Sequence, residues 1–130
     1  MWTLEVQTRQ RVGFVDITRD VARLVADAGD GAVVVFVPHT TAGVTINEDA
    51  DPSVRADLAM ALERLVPRDL PFTHAEGNSD AHTKASLMGS SVTVPVVAGT
   101  PQLGTWQGIY FAEFDGPRRR RVLVTFLRAA

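Results

Sequence analysis

Residues 91 to 128 read as three β-runs in succession, and this constrains the fold more than any other feature of the chain. The runs 91–98 (SVTVPVVA), 105–114 (TWQGIYFAEF) and 121–128 (RVLVTFLR) are rich in β-branched and aromatic residues. Gly99-Thr100-Pro101 and Asp115-Gly116-Pro117 supply turn signals between them. Strands joined by short turns pair antiparallel with their neighbours, so these three are expected side by side. An earlier run, Val33-Val34-Val35-Phe36-Val37, reads as a buried strand closed by Pro38. Residues 2 to 15 alternate, Trp2, Leu4 and Val6 against Thr3, Glu5 and Gln7, then Val12, Phe14 and Val15. That pattern predicts a half-buried hairpin or a long bent strand.

Helices fill the gaps. Ile17, Val21, Leu24, Val25 and Ala28 repeat at helical spacing behind Asp16 or Thr18 as cap, and Gly29 and Gly31 end the run. Asp51-Pro52 reads as an N-cap and a first-turn proline, opening a helix over roughly 52–66. Its expected buried face is Val54, Leu58, Ala61, Leu62 and Leu65, and Pro67 stops it. A short helix around 81–88 follows a loop rich in Pro, Gly, Asn and Asp. The expected fold is α+β, a mainly antiparallel β-sheet or sandwich with two principal helices, as one domain over 1–130.

With 130 residues, 45% of them hydrophobic, the chain can bury a core without staples. No cysteine is present, which removes thiolate metal sites and thiol nucleophiles. No apolar run approaches the ~18 residues that cross a bilayer. The N-terminus lacks the apolar core of a secretory signal. A cytoplasmic protein with no membrane partner is expected. The net charge of −2 gives no field for nucleic acid, and none is expected as a partner. Charge is nonetheless uneven, with acids at 48–57 and four arginines at Arg118-Arg119-Arg120-Arg121. That run reads as a solvated strand end, as partners for acids, or as a phosphate clamp.

Chemistry concentrates in three stretches. Between Pro38 and Asp51 lies a polar connection of about a dozen residues, long for a compact domain, where ~4–6 is usual. It carries His39, Thr40, Asn47, Glu48 and Asp49, and the alternation Val44-Thr45-Ile46 suggests that it pairs as a short strand. The second stretch, HAEGNSDAH, holds His74, Glu76 and His82. His39, His74 and His82 are the only histidines of the chain. From spacing alone three readings stay open: hydrogen-bonded or exposed loop residues, convergence on a zinc-type ion with an open position, or acid–base work without metal. Glu48 and Asp49 stand where no helix needs them and are candidates for a general base or for magnesium. The third stretch runs from Leu103 to Arg118. There Trp106 reads as a core residue or as a ring stacking on a ligand, the core being favoured, Gln107 needs a partner if buried, and Glu113 and Arg118 flank a turn across which they could pair. Gly104 and Gly108 imply a bulge or a close approach in that strand.

The segments HTTAGVTINEDADPSVRADL, HAEGNSDAH with KASLMGSS, and LGTWQGIYFAEFDGPRRRRV closely resemble the YjbQ-like family, often labelled secondary thiamine-phosphate synthases. The resemblance implies a compact α+β homotrimer with polar sites near subunit boundaries. It also implies a transferase activity joining a pyrimidine pyrophosphate to a thiazole phosphate. Matched residue by residue, His39, Thr40, Asn47, Glu48, His74, Glu76, His82, Gln107 and Glu113 fall on the family's motif polar positions. The resulting expectation is catalysis by Glu48, Asp49 and His39, and a divalent metal (zinc or magnesium) on His39, His74 and His82. A small phosphorylated substrate would be held by Thr40, Asn47, Glu76, Trp106, Gln107, Glu113 and Arg118. A metal-assisted hydrolase and a non-enzymatic trimer that binds metal, anion or metabolite are the alternatives.

Overall fold

The computed structural model describes residues 1–130. Eight strands and three helices follow in the order β1 (Trp2–Gln7), β2 (Gly13–Asp16), α1 (Thr18–Val25), β3 (Gly31–Phe36), β4 (Ala42–Glu48), α2 (Pro52–Leu65), α3 (Ser79–Met88), β5 (Ser91–Val97), β6 (Thr100–Pro101), β7 (Gln107–Glu113) and β8 (Arg119–Arg128). They form a five-stranded sheet, β1-β8-β3-β5-β6, and a three-stranded sheet, β2-β7-β4, with every pairing antiparallel. The α+β expectation holds, and the expected short helix around 81–88 is α3.

The two sheets face each other across the main core. Val6, Val33, Val35, Val94, Val122 and Val124 come from the larger sheet, Val44, Ile109 and Phe111 from the smaller, and Val21 and Val25 from α1. A second cluster joins Ala81 and Ala85 of α3 to Ala112 and Phe114, with Phe14 and Leu62 packed beside it. The three-stranded sheet is therefore a middle layer, covered by the larger sheet on one face and by helices on the other.

This layering explains where neighbours in sequence are not neighbours in space. From Gly108 to Phe114 every residue is buried, which only a strand covered on both faces permits. In β8, by contrast, Arg120, Val122 and Val124 are buried and Arg119 and Arg121 exposed, the signature of one covered face. So β7 and β8 enter different sheets despite the short turn between them. β5 and β7 do not pair either. The same holds at the N-terminus, where β1 pairs with β8 and β2 with β7, so residues 2–15 are not a hairpin.

Asp51 caps α2 as expected, its Oδ1 accepting from the Ser53 N–H at 2.9 Å. The buried face of α2 is narrower than its periodicity suggested. Val54, Leu58 and Leu62 are half-buried, whereas Ala61 is exposed and Leu65 is 69% exposed. Trp106 is not core but 63% exposed, in the loop before β7. Gly108 does mark a close approach, since a Cβ there would lie 2.8 Å from the Cβ of Asp49. No helix is long and apolar enough to cross a membrane.

Candidate functional site

The long polar connection is mostly strand. Ala42 to Glu48 pairs residue for residue with β7, from Ala42 opposite Glu113 to Glu48 opposite Gln107. Only residues 37–41 link β3 to β4. Six steps of about 3.3 Å separate the two ends of β4, roughly 20 Å in all. His39 and Thr40 stand before its first residue, and Glu48 and Asp49 at its far end. The expected catalytic set of Glu48, Asp49 and His39 is thus split by the length of the strand.

At the near end, residues from three connections line one cleft of about 440 Å³. His39, Thr40 and Thr41 come from the β3–β4 link, His74, Glu76 and Asn78 from the loop before α3, and Asp115 and Arg118 from the β7–β8 turn. His82, in the first turn of α3, and Arg120 complete it. Apart from Pro38, no wall residue is apolar. All three histidines of the chain are there. The His74 and His82 rings stand edge-on, 5.5 Å between centres, and Glu76 Oε1 lies 3.8 Å from His74 Nε2. His39 Nε2 accepts from the Arg121 backbone N–H at 3.1 Å. A neutral ring that accepts on Nε2 carries its proton on Nδ1. Burial, with the Arg120 guanidinium next in weight, lowers the His39 pKa below the ordinary imidazole value and favours that neutral form.

The floor of the cleft is a buried ion pair. Arg120 Nε donates to Glu113 Oε1 at 2.9 Å and Nη2 to Glu113 Oε2, while Nη2 also donates to Thr41 Oγ1 at 2.9 Å. Thr8 Oγ1 donates to Glu113 Oε1 at 2.7 Å, and the Phe114 and Asp115 N–H groups donate to Oε2. Burial alone would raise the Glu113 pKa, but these donors outweigh it and hold the carboxyl below its ordinary value. Glu113, 1% exposed, is therefore no substrate ligand. Nor does it pair with Arg118, whose Nε donates to the Asp115 backbone carbonyl at 2.9 Å and whose Nη2 donates to the Asp115 carboxylate at 3.1 Å. Asn78 Nδ2 donates to the same Asp115 carboxylate at 2.8 Å, and Asn78 Oδ1 is buried without a donor.

A second buried network seats α3 and hence His82. Arg11 donates twice to Asp80 at 3.1 Å, and Lys84, wholly buried, bridges Asp80 and Glu63. Desolvation would raise the Asp80 pKa, yet Arg11 and Lys84 bring it below the carboxylate norm.

At the far end of β4 the amide side chains serve the backbone, while Asp49 lines an open hollow with Asp16, Thr18 and Arg19. Asn47 Oδ1 accepts from the Glu48 N–H at 2.7 Å, and Gln107 Oε1 from the Gly104 N–H at 2.8 Å. The Asp49 N–H donates to the Trp106 carbonyl at 2.9 Å. Asn47, Glu48, Asp49, Trp106 and Gln107 thus lie outside the histidine cleft, which retains His39, Thr40, His74, Glu76, His82 and Arg118 of the expected set. Thr41, Asn78, Asp115 and Arg120 were missed. Their signal lay in the quoted segments, but only the strand bounds reveal which of them turn inward.

A family model described as UPF0047 protein YjbQ-like matches residues 2–129. The chain belongs to the UPF0047 family of YjbQ-like proteins. It is 50% identical over 129 residues to UPF0047 protein MJ1081 of Methanocaldococcus jannaschii, a match covering 98% of this chain and 94% of that one. It is 44% identical over 128 residues to UPF0047 protein YugU of Bacillus subtilis, covering 96% and 97%. A solved YjbQ/UPF0047 structure from Clostridium acetobutylicum superposes with a TM-score of 0.95 at 49% identity, covering 98% of this chain and all of that one. The conserved hypothetical protein TT1486 from Thermus thermophilus gives 0.93 at 46%, with the same coverage. These findings overturn the thiamine-phosphate synthase expectation. The UPF0047 family description and the names of these relatives carry no such activity. The separation of Glu48 and Asp49 from the histidines also removes the acids assigned to that reaction.

Proposed function

We propose that the histidine cleft binds a small phosphorylated molecule, with a zinc-type ion held by His74 and His82. The observation that carries this reading is the convergence of all three histidines, from the β3–β4 link, the loop before α3 and α3 itself, on one apolar-poor cleft beside Arg118. Such walls offer an oily ligand little and an anion several donors: the His39 imidazole, the Thr40 hydroxyl and the Arg118 guanidinium. Asn78 Oδ1 supplies a buried acceptor that still lacks a donor.

The residues fit an ion in part. Two imidazoles on one tetrahedral zinc, each about 2.0–2.1 Å from it, keep their ring centres about 5 Å apart, close to the 5.5 Å seen here. Nitrogen donors favour zinc, copper or nickel over magnesium, which wants oxygen. His39 does not fit as the third ligand, because the Arg121 N–H occupies its Nε2 lone pair, and no three His, Asp or Glu side chains stand together as a ligand set. Glu76, beside His74, is the carboxylate placed to orient or join the pair. When bound, the ion supplies Lewis acidity toward a phosphoryl oxygen.

Titration calorimetry with zinc chloride on metal-free protein tests this. Stoichiometric binding that weakens at least about tenfold in His74→Ala and in His82→Ala is expected. Unchanged zinc affinity in both variants contradicts the ion. Assembly as a homotrimer belongs to the same reading, and light scattering should give three times the mass of the chain.

A further inference from the structure

The four consecutive arginines remain only half explained by the cleft. Arg118 is paired with Asp115, and Arg120 with Glu113. Arg119 and Arg121 are exposed and make no ion pair. Strand periodicity separates the two sets. β8 begins at Arg119, so Arg120 turns inward, and Arg119 and Arg121 share the outer face of the larger sheet. There they line a second concavity of about 430 Å³ with Thr3, Glu5, His39 and Arg120. His39 and Arg120 line both hollows, so the His39 ring is a wall shared between them. In register, Arg121 faces Glu5 across the β1–β8 ladder and Arg119 faces Gln7. Glu5 is the one carboxylate of this hollow, and it forms no ion pair with Arg121. Two unpaired guanidiniums two residues apart, with a threonine hydroxyl beside them, are a phosphate site by chemistry.

We propose that Arg119 and Arg121 form a second anion subsite, across His39 from the histidine cleft, so that the ligand is a molecule with two separated phosphate-like groups. This rests on the reading of the cleft as a phosphate site and adds the class of ligand. Each hollow takes one anionic head, and the body of the ligand crosses the His39 edge. The arginine run is then neither a plain solvated strand end nor a single clamp, because its alternate members serve opposite sides of one ring.

Calorimetry with fructose 1,6-bisphosphate and fructose 6-phosphate separates the two readings. Wild-type protein should bind the bisphosphate at least about tenfold tighter than the monophosphate, as expected for one added set of charge-assisted contacts. The exposed double variant Arg119→Gln, Arg121→Gln should bring that ratio close to one, and Glu5→Gln should raise it. A ratio that persists in the double variant overturns the subsite, as does an equal weakening of both ligands, which would mark a general field. Tighter binding of a single-stranded oligonucleotide at the same salt overturns it in favour of nucleic acid. A changed oligomeric mass with an unchanged ratio overturns it in favour of assembly. The cleft reading fails separately, if the double variant His74→Ala, His82→Ala binds the monophosphate as wild type does.

Discussion

The two ends of β4 look alike in sequence and differ in what they do. Each carries polar residues that the sequence assigns to no helix or strand face, His39 and Thr40 at one end, Asn47, Glu48 and Asp49 at the other. At the histidine end, three connections distant in sequence meet over a buried ion pair and line a cleft. At the acidic end, Asn47 and Gln107 bond to the backbone beside them, and Asp49 lies against Gly108 and lines a hollow with Asp16, Thr18 and Arg19 that holds no histidine. Imidazoles brought together from distant segments, and not local polarity alone, set the histidine end apart from an end whose amides satisfy neighbouring backbone.

The comparison breaks most readily at the floor of the histidine end. Glu113→Ala leaves Arg120 buried without its carboxylate, and should cost about 3–5 kcal/mol of stability by chemical denaturation. Replacing both partners by apolar residues should recover most of that, since the penalty comes from the unpaired charge. Next, alanine at His74 or His82 should weaken zinc binding at least about tenfold while Glu48→Ala and Asp49→Ala leave it unchanged, as calorimetry would show. Equal losses at both ends would erase the distinction. A smaller effect is expected at Asp51, whose carboxylate is held below its ordinary pKa by the Ser53 N–H. Asp51→Ala should lower the melting temperature modestly without touching zinc affinity.

The smallest effect concerns His39 and pH. Its pKa is lower in the folded state than in the unfolded chain, so near pH 6 the folded state binds fewer protons. The stability it contributes is complete above the ordinary imidazole value of about 6.5, and is lost as the pH falls toward the lowered one. Urea melts between pH 7.5 and 5.5 should therefore show a slightly steeper acid loss in wild type than in His39→Gln. A flatter wild-type profile would mean that the ring is not desolvated against Arg120.

Much of the fold was legible because period and punctuation are local. Asp51-Pro52 opened α2 at its first residue, whereas α1 ended at Val25, ahead of the Gly29 expected to close it. What was not legible followed from layering. Nothing within GIYFAEF says that its two faces meet different layers, and only that fact sends β7 and β8 to separate sheets. Trp106 was expected in the core as part of the strand 105–114, yet β7 begins one residue after it. For the site, histidine scarcity correctly drew attention to His39, His74 and His82. Glu113 and Arg118 were misread as cross-turn partners because β8 starts at Arg119, two residues before the run RVLVTFLR, which puts Arg120 under the cleft in place of Arg118.

The central claim is that the binding centre lies at the histidine end of β4. Anomalous diffraction from crystals soaked in zinc and inorganic phosphate tests it most directly. The expected result is one strong zinc peak between the His74 and His82 rings, with phosphate density toward Arg118. A peak in the hollow that Asp16 and Asp49 line at the far end, with none at the histidines, would contradict it.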